Sequence, residues 1–324
     1  MKGPSLDQVG AARQRLDGKV RVTPVVSMPL RDLDPSWPSA AEASLKLELL
    51  QVTGTFKARG ALNGVLGLDA AQRAKGVTAV SAGNHAIAVA YAAQALGASA
   101  KVVIIKKANP FRVALTRSFG AEVVLADDVT VAFDVVKKIE SEEGRFFVHP
   151  FEGPGPVTGT ATLGLEWFEQ AGAMDAVVIA CGGGGLLAGV ACAMKQLAPA
   201  TRVYGVEPEG ADSMYQSFEQ GHPVKLQAVT TIADSLGAPH STPYTYAVCR
   251  EHVTRIARVS DAQLREAMRL TFARLKLAVE PAAAAALAGV LGPLREELAG
   301  ARKVGILVCG SNIDPQTFTG YLNP

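Results

Sequence analysis

The chain reads as an α/β protein built on mostly parallel sheets with helices on both faces, and three observations predict it. Short apolar runs recur at TAV (78–80), KVVII (101–105), EVVLA (122–126), FFV (146–148), AVVIA (176–180), RVYGV (202–206) and VGILV (304–308). Helical stretches separate them, and near-continuous apolar strands are what a sheet covered on both faces requires. Small-residue turns stand where strands give way to helices, as at SAGNH (81–85) and CGGGG (181–185), the mark of strand–loop–helix units. The 324 residues, 48% hydrophobic and 19% charged, suffice for one large or two medium cores and exclude a disordered chain.

Taken in order, MKGPSLDQVGAARQRL (1–16) is polar and helix-like, without the apolar core of a signal peptide. LKLELL (45–50) alternates like a strand and runs into QVTGTFKARGA (51–61). There Thr53 or Thr55 is placed to cap a helix that continues through GALNGVLGL (60–68). SAGNH leads into an Ala-rich helix, AIAVAYAAQALG (86–97), and PFEGPGP (150–156) suits a crossing between two lobes. Residues 176–194 form a 19-residue uncharged run, long enough to count as a membrane span, but four consecutive glycines divide it into strand, loop and helix. Ser260 and Gln263 have capping-box spacing, with Leu264, Met268, Phe272 and Leu275 along one face. Pro281 opens the helix of VEPAAAAALAGVL (279–291). His149 reads as capping a strand end and Glu280 as capping a helix.

The net charge of +2, without runs of one sign, excludes nucleic acid and acidic membranes as expected partners. Cysteines at 181, 192, 249 and 309 have neither metal-ligand spacing nor a disulfide pattern, and read as reduced thiols of a cytoplasmic protein.

Three strand-to-helix junctions carry the chemistry, because open α/β sheets bind ligands outside the carboxyl ends of their strands. SAGNH and CGGGG precede helix N-termini, whose free N–H groups hold anions. The third junction puts Lys57 and Arg59 in the first turn of a helix, where a cation loses ~0.3–1 kcal/mol to the helix dipole. The dipole and Arg59 should both lower the Lys57 pKa and raise the fraction of nucleophilic amine. The glycine loop alone is ambiguous. Gly183, Gly185 and Ala188 fit G-x-G-x-x-A, and Glu207 ends the next strand, as in an NAD-dependent dehydrogenase. One phosphate cradle, one carboxylate cradle and one activated lysine together suit a pyridoxal phosphate enzyme acting on an amino acid.

TGTFKARGA, SAGNHA, CGGGGLLAG, GVEPEGADS, VEPAAAAA and CGSNID occur in that order across residues 45–314. They resemble the fold-type II pyridoxal phosphate enzymes, specifically the threonine/serine dehydratase and serine racemase group. The resemblance implies a two-lobed, tryptophan synthase β-like fold. A large cofactor-binding domain would comprise 1–67 and 152–324, and a small inserted α/β domain 68–151. It implies a cytoplasmic homodimer that converts threonine, serine or a related 3-hydroxy amino acid to a 2-oxo acid and ammonia. Carried over by position, Lys57 would form the Schiff base and act as base on Cα, and Phe56 would pack on the ring. Asn84 would bond the ring hydroxyl, and Gly182, Gly183, Gly184, Gly185 and Leu186 would hold the phosphate. Cys309 would face the ring nitrogen. Ser81, Asn84, His85 and Ala86 would bind the substrate carboxylate.

Departures from the group's pattern shape the expectation further. Ala82 stands where racemases carry a serine base, so racemisation is not expected. Of the group's divalent-cation site only Glu207 and the Ala211 carbonyl remain, with Ser213 in place of the second carboxylate. Ile87 and the run Gly159-Thr160-Ala161-Thr162 replace the group's usual residues near the expected side-chain pocket. Serine racemase activity, 3-hydroxyaspartate and phenylserine therefore stay open, as does a non-catalytic cofactor carrier or amino-acid sensor.

Overall fold

A computed structural model describes residues 1–37 and 41–323. Among them, two sheets form. The six-stranded sheet runs β1 (Val25–Pro29), β2 (Glu42–Lys46), β10 (Lys303–Leu307), β7 (Ala176–Ala180), β8 (Arg202–Pro208), β9 (Arg255–Val259). Its β1 is antiparallel to β2, and its other neighbours are parallel. The four-stranded sheet runs β5 (Glu122–Ala126), β4 (Ala100–Ile105), β3 (Val77–Val80), β6 (Phe146–Phe147), all parallel. Helices cover both faces, so β7 has no exposed residue and reads as an unbroken apolar run. The uncharged stretch 176–194 divides as its glycines require, into β7, a loop and helix Gly185–Leu197. No helix of the described residues is long and apolar enough to cross a membrane.

Strands that the apolar pattern misses lie at sheet edges. β9, RIARV, interrupts its hydrophobic run with the exposed Arg255 and Arg258, while β1 ends in Pro29, a residue tolerated at an edge. LKLELL is a strand only as far as Lys46, and Glu48–Leu50 tightens into a 3-10 turn. The reason is electrostatic. Lys46 and Glu48 are both fully buried, and the turn delivers the Glu48 carboxylate to Arg59. Both capping predictions for later helices hold: Ser260 and Gln263 form a reciprocal box, and Pro281 opens helix Pro281–Leu291.

Helix Lys57–Leu66 starts one residue after Phe56, which occupies the cap position without a side-chain bond. Thr55 still contributes, its Oγ1 accepting from the Lys57 N–H at 3.3 Å. Helix Pro154–Ala171 wedges between this helix and helix Gly185–Leu197, and glycine makes the approach possible. A Cβ on Gly159 would lie 2.5 Å from the Arg59 carbonyl oxygen, and one on Gly189 2.2 Å from Thr160 Oγ1. Of the apolar clusters that result, the largest surrounds the six-stranded sheet, and a second packs Leu62 and Val65 beneath the smaller sheet. The loops at the carboxyl ends of β2, β3, β7 and β10 then converge on one cavity.

Candidate active site

That cavity is lined by Phe56, Lys57, Ser81, Asn84, His85, Gly182–Gly185, Leu186 and Cys309. Three junctions spread over about 130 residues of the chain, from Lys57 to Leu186, thus meet at one place. Lys57 Nζ donates to the Pro150 carbonyl at 2.7 Å and lies 5.2 Å from the Phe56 ring centroid. Burial lowers its pKa to about 8, although negative character at Cys309 and Glu280 pulls the other way. The expected role of Arg59 is corrected. Its guanidinium turns away from the cavity and pairs with Glu48 at 2.8 Å and Glu166 at 2.9 Å, so desolvation, not Arg59, depresses Lys57.

The Asn84 amide is fixed from both sides. Its Nδ2 donates to Glu280 Oε1 at 2.7 Å and Ser235 Oγ at 3.2 Å, while its Oδ1 accepts from Asn312 Nδ2 at 2.8 Å. Glu280 occupies the helix-cap position, but its side chain makes no cap bond and faces the cavity instead. Burial raises its pKa to about 7 against the pull of Arg112. Its Oε2 is buried without a hydrogen-bond partner and lies 3.6 Å from Arg112 Nη2. Reading Glu280 as only a helix cap was therefore incomplete. The signal was present, since Ser, Thr, Asp and Asn, not Glu, are the side chains that cap well.

Ser81 Oγ accepts from the Gly83 N–H at 3.2 Å. His85 Nε2 lies 2.8 Å from the Val148 carbonyl, and burial, with the Lys57 charge, lowers its pKa to about 3. The imidazole is therefore neutral. With Nε2 donating to Val148, its Nδ1 is only an acceptor. Ala86 does not line the cavity, and its N–H already donates to the Gly83 carbonyl at 3.0 Å. His149 Nδ1 accepts from the Phe151 and Glu152 N–H groups, capping the turn after β6 as expected.

In the glycine loop the neighbouring protein leaves no room for a side chain. A Cβ on Gly183 would meet the Phe151 ring at 2.4 Å, and Gly184 has φ +85°. Helix Gly185–Leu197 begins there, so its first N–H groups have no carbonyl one turn earlier to bond. Cys309 is buried, and desolvation pushes its thiol pKa far up. A free amine, an anion cradle, a fixed amide and a neutral thiol around one slot fit a phosphorylated heteroaromatic aldehyde.

Glu207 and Ala211 do not line this cavity. Glu207 is fully buried, and its two oxygens accept the Met214 and Tyr215 N–H groups at 3.0 and 2.7 Å. The Ala211 N–H bonds the Pro208 carbonyl. Among the described residues no group of three or more His, Cys, Asp or Glu is arranged to hold a metal. Nor do Ile87 and Gly159–Thr162 line this cavity; they are buried where helices pack, and of them Thr160 reaches a small adjoining cavity shared with Lys57 and Phe151. The residues that do line it, and that local pattern did not single out, are Arg112, Phe151 and Asp234–Ala238.

Known proteins share this frame. The chain is 59% identical to a phenylserine dehydratase of Ralstonia pickettii over 98% of its own length and 96% of that protein. It is 38% identical to an L-threo-3-hydroxyaspartate ammonia-lyase of Pseudomonas sp, covering 99% of each chain. The structure of maize serine racemase superimposes with a TM-score of 0.92 at 33% identity, covering 98% of this chain and 96% of that one. A family model described as "Pyridoxal-phosphate dependent enzyme" matches residues 17–310. With the lysine, the glycine cradle and the asparagine in one cavity, the chain belongs to the pyridoxal-phosphate dependent enzymes.

Proposed function

We propose that this enzyme is an ammonia-lyase of 3-hydroxy amino acids, with a bulky, uncharged substrate of the phenylserine kind preferred over threonine and serine. The observation that carries the reading is the Lys57 amine, its pKa lowered by burial to about 8, facing one cavity with both anion cradles. The phenylserine preference is supported by the 59% identical relative and by the apolar lining from Pro150, Phe151, Leu236 and Ala238.

What bound pyridoxal phosphate supplies is a sink for the electrons of the broken Cα–H bond. The chain's residues do the rest. N–H groups at Gly182–Leu186 would hold the phosphate, and Phe56 would pack against the ring. Asn84, fixed by Asn312 and Glu280, would bond the ring hydroxyl. Cys309, a neutral thiol, would face the ring nitrogen and could not hold it protonated as a carboxylate would, which would suit elimination. Ser81, Asn84 and the backbone N–H of His85 orient the substrate carboxylate at the start of helix Asn84–Ala95. Lys57 Nζ takes the Cα proton. The Cβ–O bond breaks, the hydroxyl leaves as water with the proton that Lys57 took from Cα, and the enamine product takes up water to give a 2-oxo acid and ammonia. Ala82 offers no base on the opposite face, so the product is not racemised substrate.

The same reading has residues 1–67 with 152–324 as the cofactor-binding domain and 68–151 as the inserted one. A cytoplasmic homodimer belongs to it too, and four buried, unpaired thiols suit that compartment. The test is a 2-oxo acid assay over phenylserine, threonine, serine and 3-hydroxyaspartate in each enantiomer. Phenylserine should give the highest kcat/KM, and Lys57→Ala should abolish the product and the visible absorbance of the holoenzyme. Product from threonine alone would refute the substrate, and a colourless protein that binds no cofactor would refute the chemistry.

A further inference from the structure

We infer that Arg112 and Asp234 form a specificity pair, in which Asp234 withholds the Arg112 guanidinium from anionic substrate side chains so that dicarboxylic 3-hydroxy amino acids are rejected. The inference rests on the ammonia-lyase reading of the cavity.

A second carboxylate on a substrate needs a cation to meet it, because a buried charge without a partner is costly. Of the residues lining the cavity, only Lys57 and Arg112 carry a side chain that is cationic near neutral pH. Lys57 is committed to the reaction, and His85 is held neutral by burial. Arg112 therefore decides whether a dicarboxylic substrate finds a partner.

Each face of its guanidinium is already met. Nε donates to the Asn312 carbonyl at 2.9 Å, Nη1 is paired with Asp234 Oδ2, and Nη2 lies 3.6 Å from Glu280 Oε2. Nη1 is also the nitrogen nearest the carboxylate loop, 3.4 Å from where a Gly83 Cβ would stand. The donor best placed for an incoming carboxylate is thus the one that Asp234 holds. The Arg112 side chain is 7% exposed and anchored, whereas that of Asp234 is 61% exposed. An approaching anion meets the aspartate before the arginine. Two carboxylates flank one guanidinium, so this wall is never net cationic. Repulsion of one substrate class is as effective a route to specificity as attraction of another.

The test uses holoenzyme and Asp234→Asn, which keeps the shape and removes the charge. Ratios of kcat/KM for L-threo-3-hydroxyaspartate over L-threo-phenylserine are compared with the wild type. Spectral titrations with L-aspartate and L-phenylalanine, which lack the leaving hydroxyl, read binding without turnover. Asp234→Asn should raise the kcat/KM ratio about tenfold or more and tighten aspartate relative to phenylalanine by a similar factor. Adding Arg112→Gln to that variant should erase the gain. Unchanged ratios would overturn the inference, as would a gain that survives loss of Arg112. An equal rise for both substrates would also overturn it, by assigning Arg112 to the shared α-carboxylate. Should the variant fail to load cofactor, the wild-type titration still decides, since aspartate binding as tightly as phenylalanine would overturn it. Failure of the underlying reading looks different: wild-type protein would form no 2-oxo acid from any hydroxy amino acid.

Discussion

Replacing Arg59 with methionine isolates the buried charge cluster that seats the Lys57 helix. Lys46, Glu48, Arg59 and Glu166 are all buried, and together they carry two positive and two negative charges. Arg59→Met keeps the aliphatic stem and leaves one carboxylate in excess. The cheapest escape for the folded chain is to protonate it. From the ordinary glutamate value of 4.5, protonation at pH 7 costs about 3.4 kcal/mol, at about 1.36 kcal/mol per pH unit. A similar range, about 3–5 kcal/mol, is typical for removing one partner of a buried pair, against roughly 5–15 kcal/mol for a whole domain. The pH dependence follows in sign. In the wild type burial works to raise the Glu166 pKa, but Arg59 and Lys46 outweigh it and hold it low. That contribution is present above the unfolded pKa and is lost as pH falls. In the variant the excess carboxylate has a raised folded pKa, so the variant loses stability as pH rises. The deficit should shrink to about 2 kcal/mol at pH 6 and grow to nearly 5 at pH 8. Urea unfolding of matched holoenzymes, followed by the fluorescence of buried Trp167 and Trp37, measures it. A deficit below about 1 kcal/mol at pH 7, or one that does not narrow on acidification, would refute the reasoning.

Two further outcomes are expected. Reloading of cofactor-free protein, read as returning visible absorbance, should speed up with pH through a midpoint near 8, as the Lys57 ammonium gives up its proton; a midpoint near the 10.5 of an exposed lysine would contradict it. Gly183→Ala drives a Cβ to 2.4 Å from the Phe151 ring, so the cofactor Kd should rise about tenfold, for an overpacking cost of about 1–3 kcal/mol; an unchanged Kd in equilibrium dialysis would show that Phe151 swings aside.

Much of the cavity was legible as local pattern, because each main component is a strand end followed by a helix start. Such a junction needs only a few consecutive residues to declare itself, as at Phe56-Lys57, Ser81–His85 and Gly182–Leu186. Edge strands were less legible. β9 lies at the edge of its sheet and exposes Arg255 and Arg258, which interrupt the apolar run by which a strand is recognised. Ile87 and Gly159 misled because they differ from related sequences where helices pack on each other, whereas Thr160 does reach a small cavity shared with Lys57.

The sequence by itself determined the fold class and singled out the lysine and the two small-residue turns that meet in one cavity, since hydrophobic period and small-residue turns are encoded by neighbours. Only the tertiary structure decided where the buried charges find their partners. Arg59 meets Glu166 across 107 residues, Arg112 meets Asp234 across 122, and Asn84 meets Glu280 across 196. A charge removed from water must be compensated, but compensation acts through space and is indifferent to chain order. The lysine in QVTGTFKARGA is lowered for the same reason: the walls that desolvate it come from segments far along the chain.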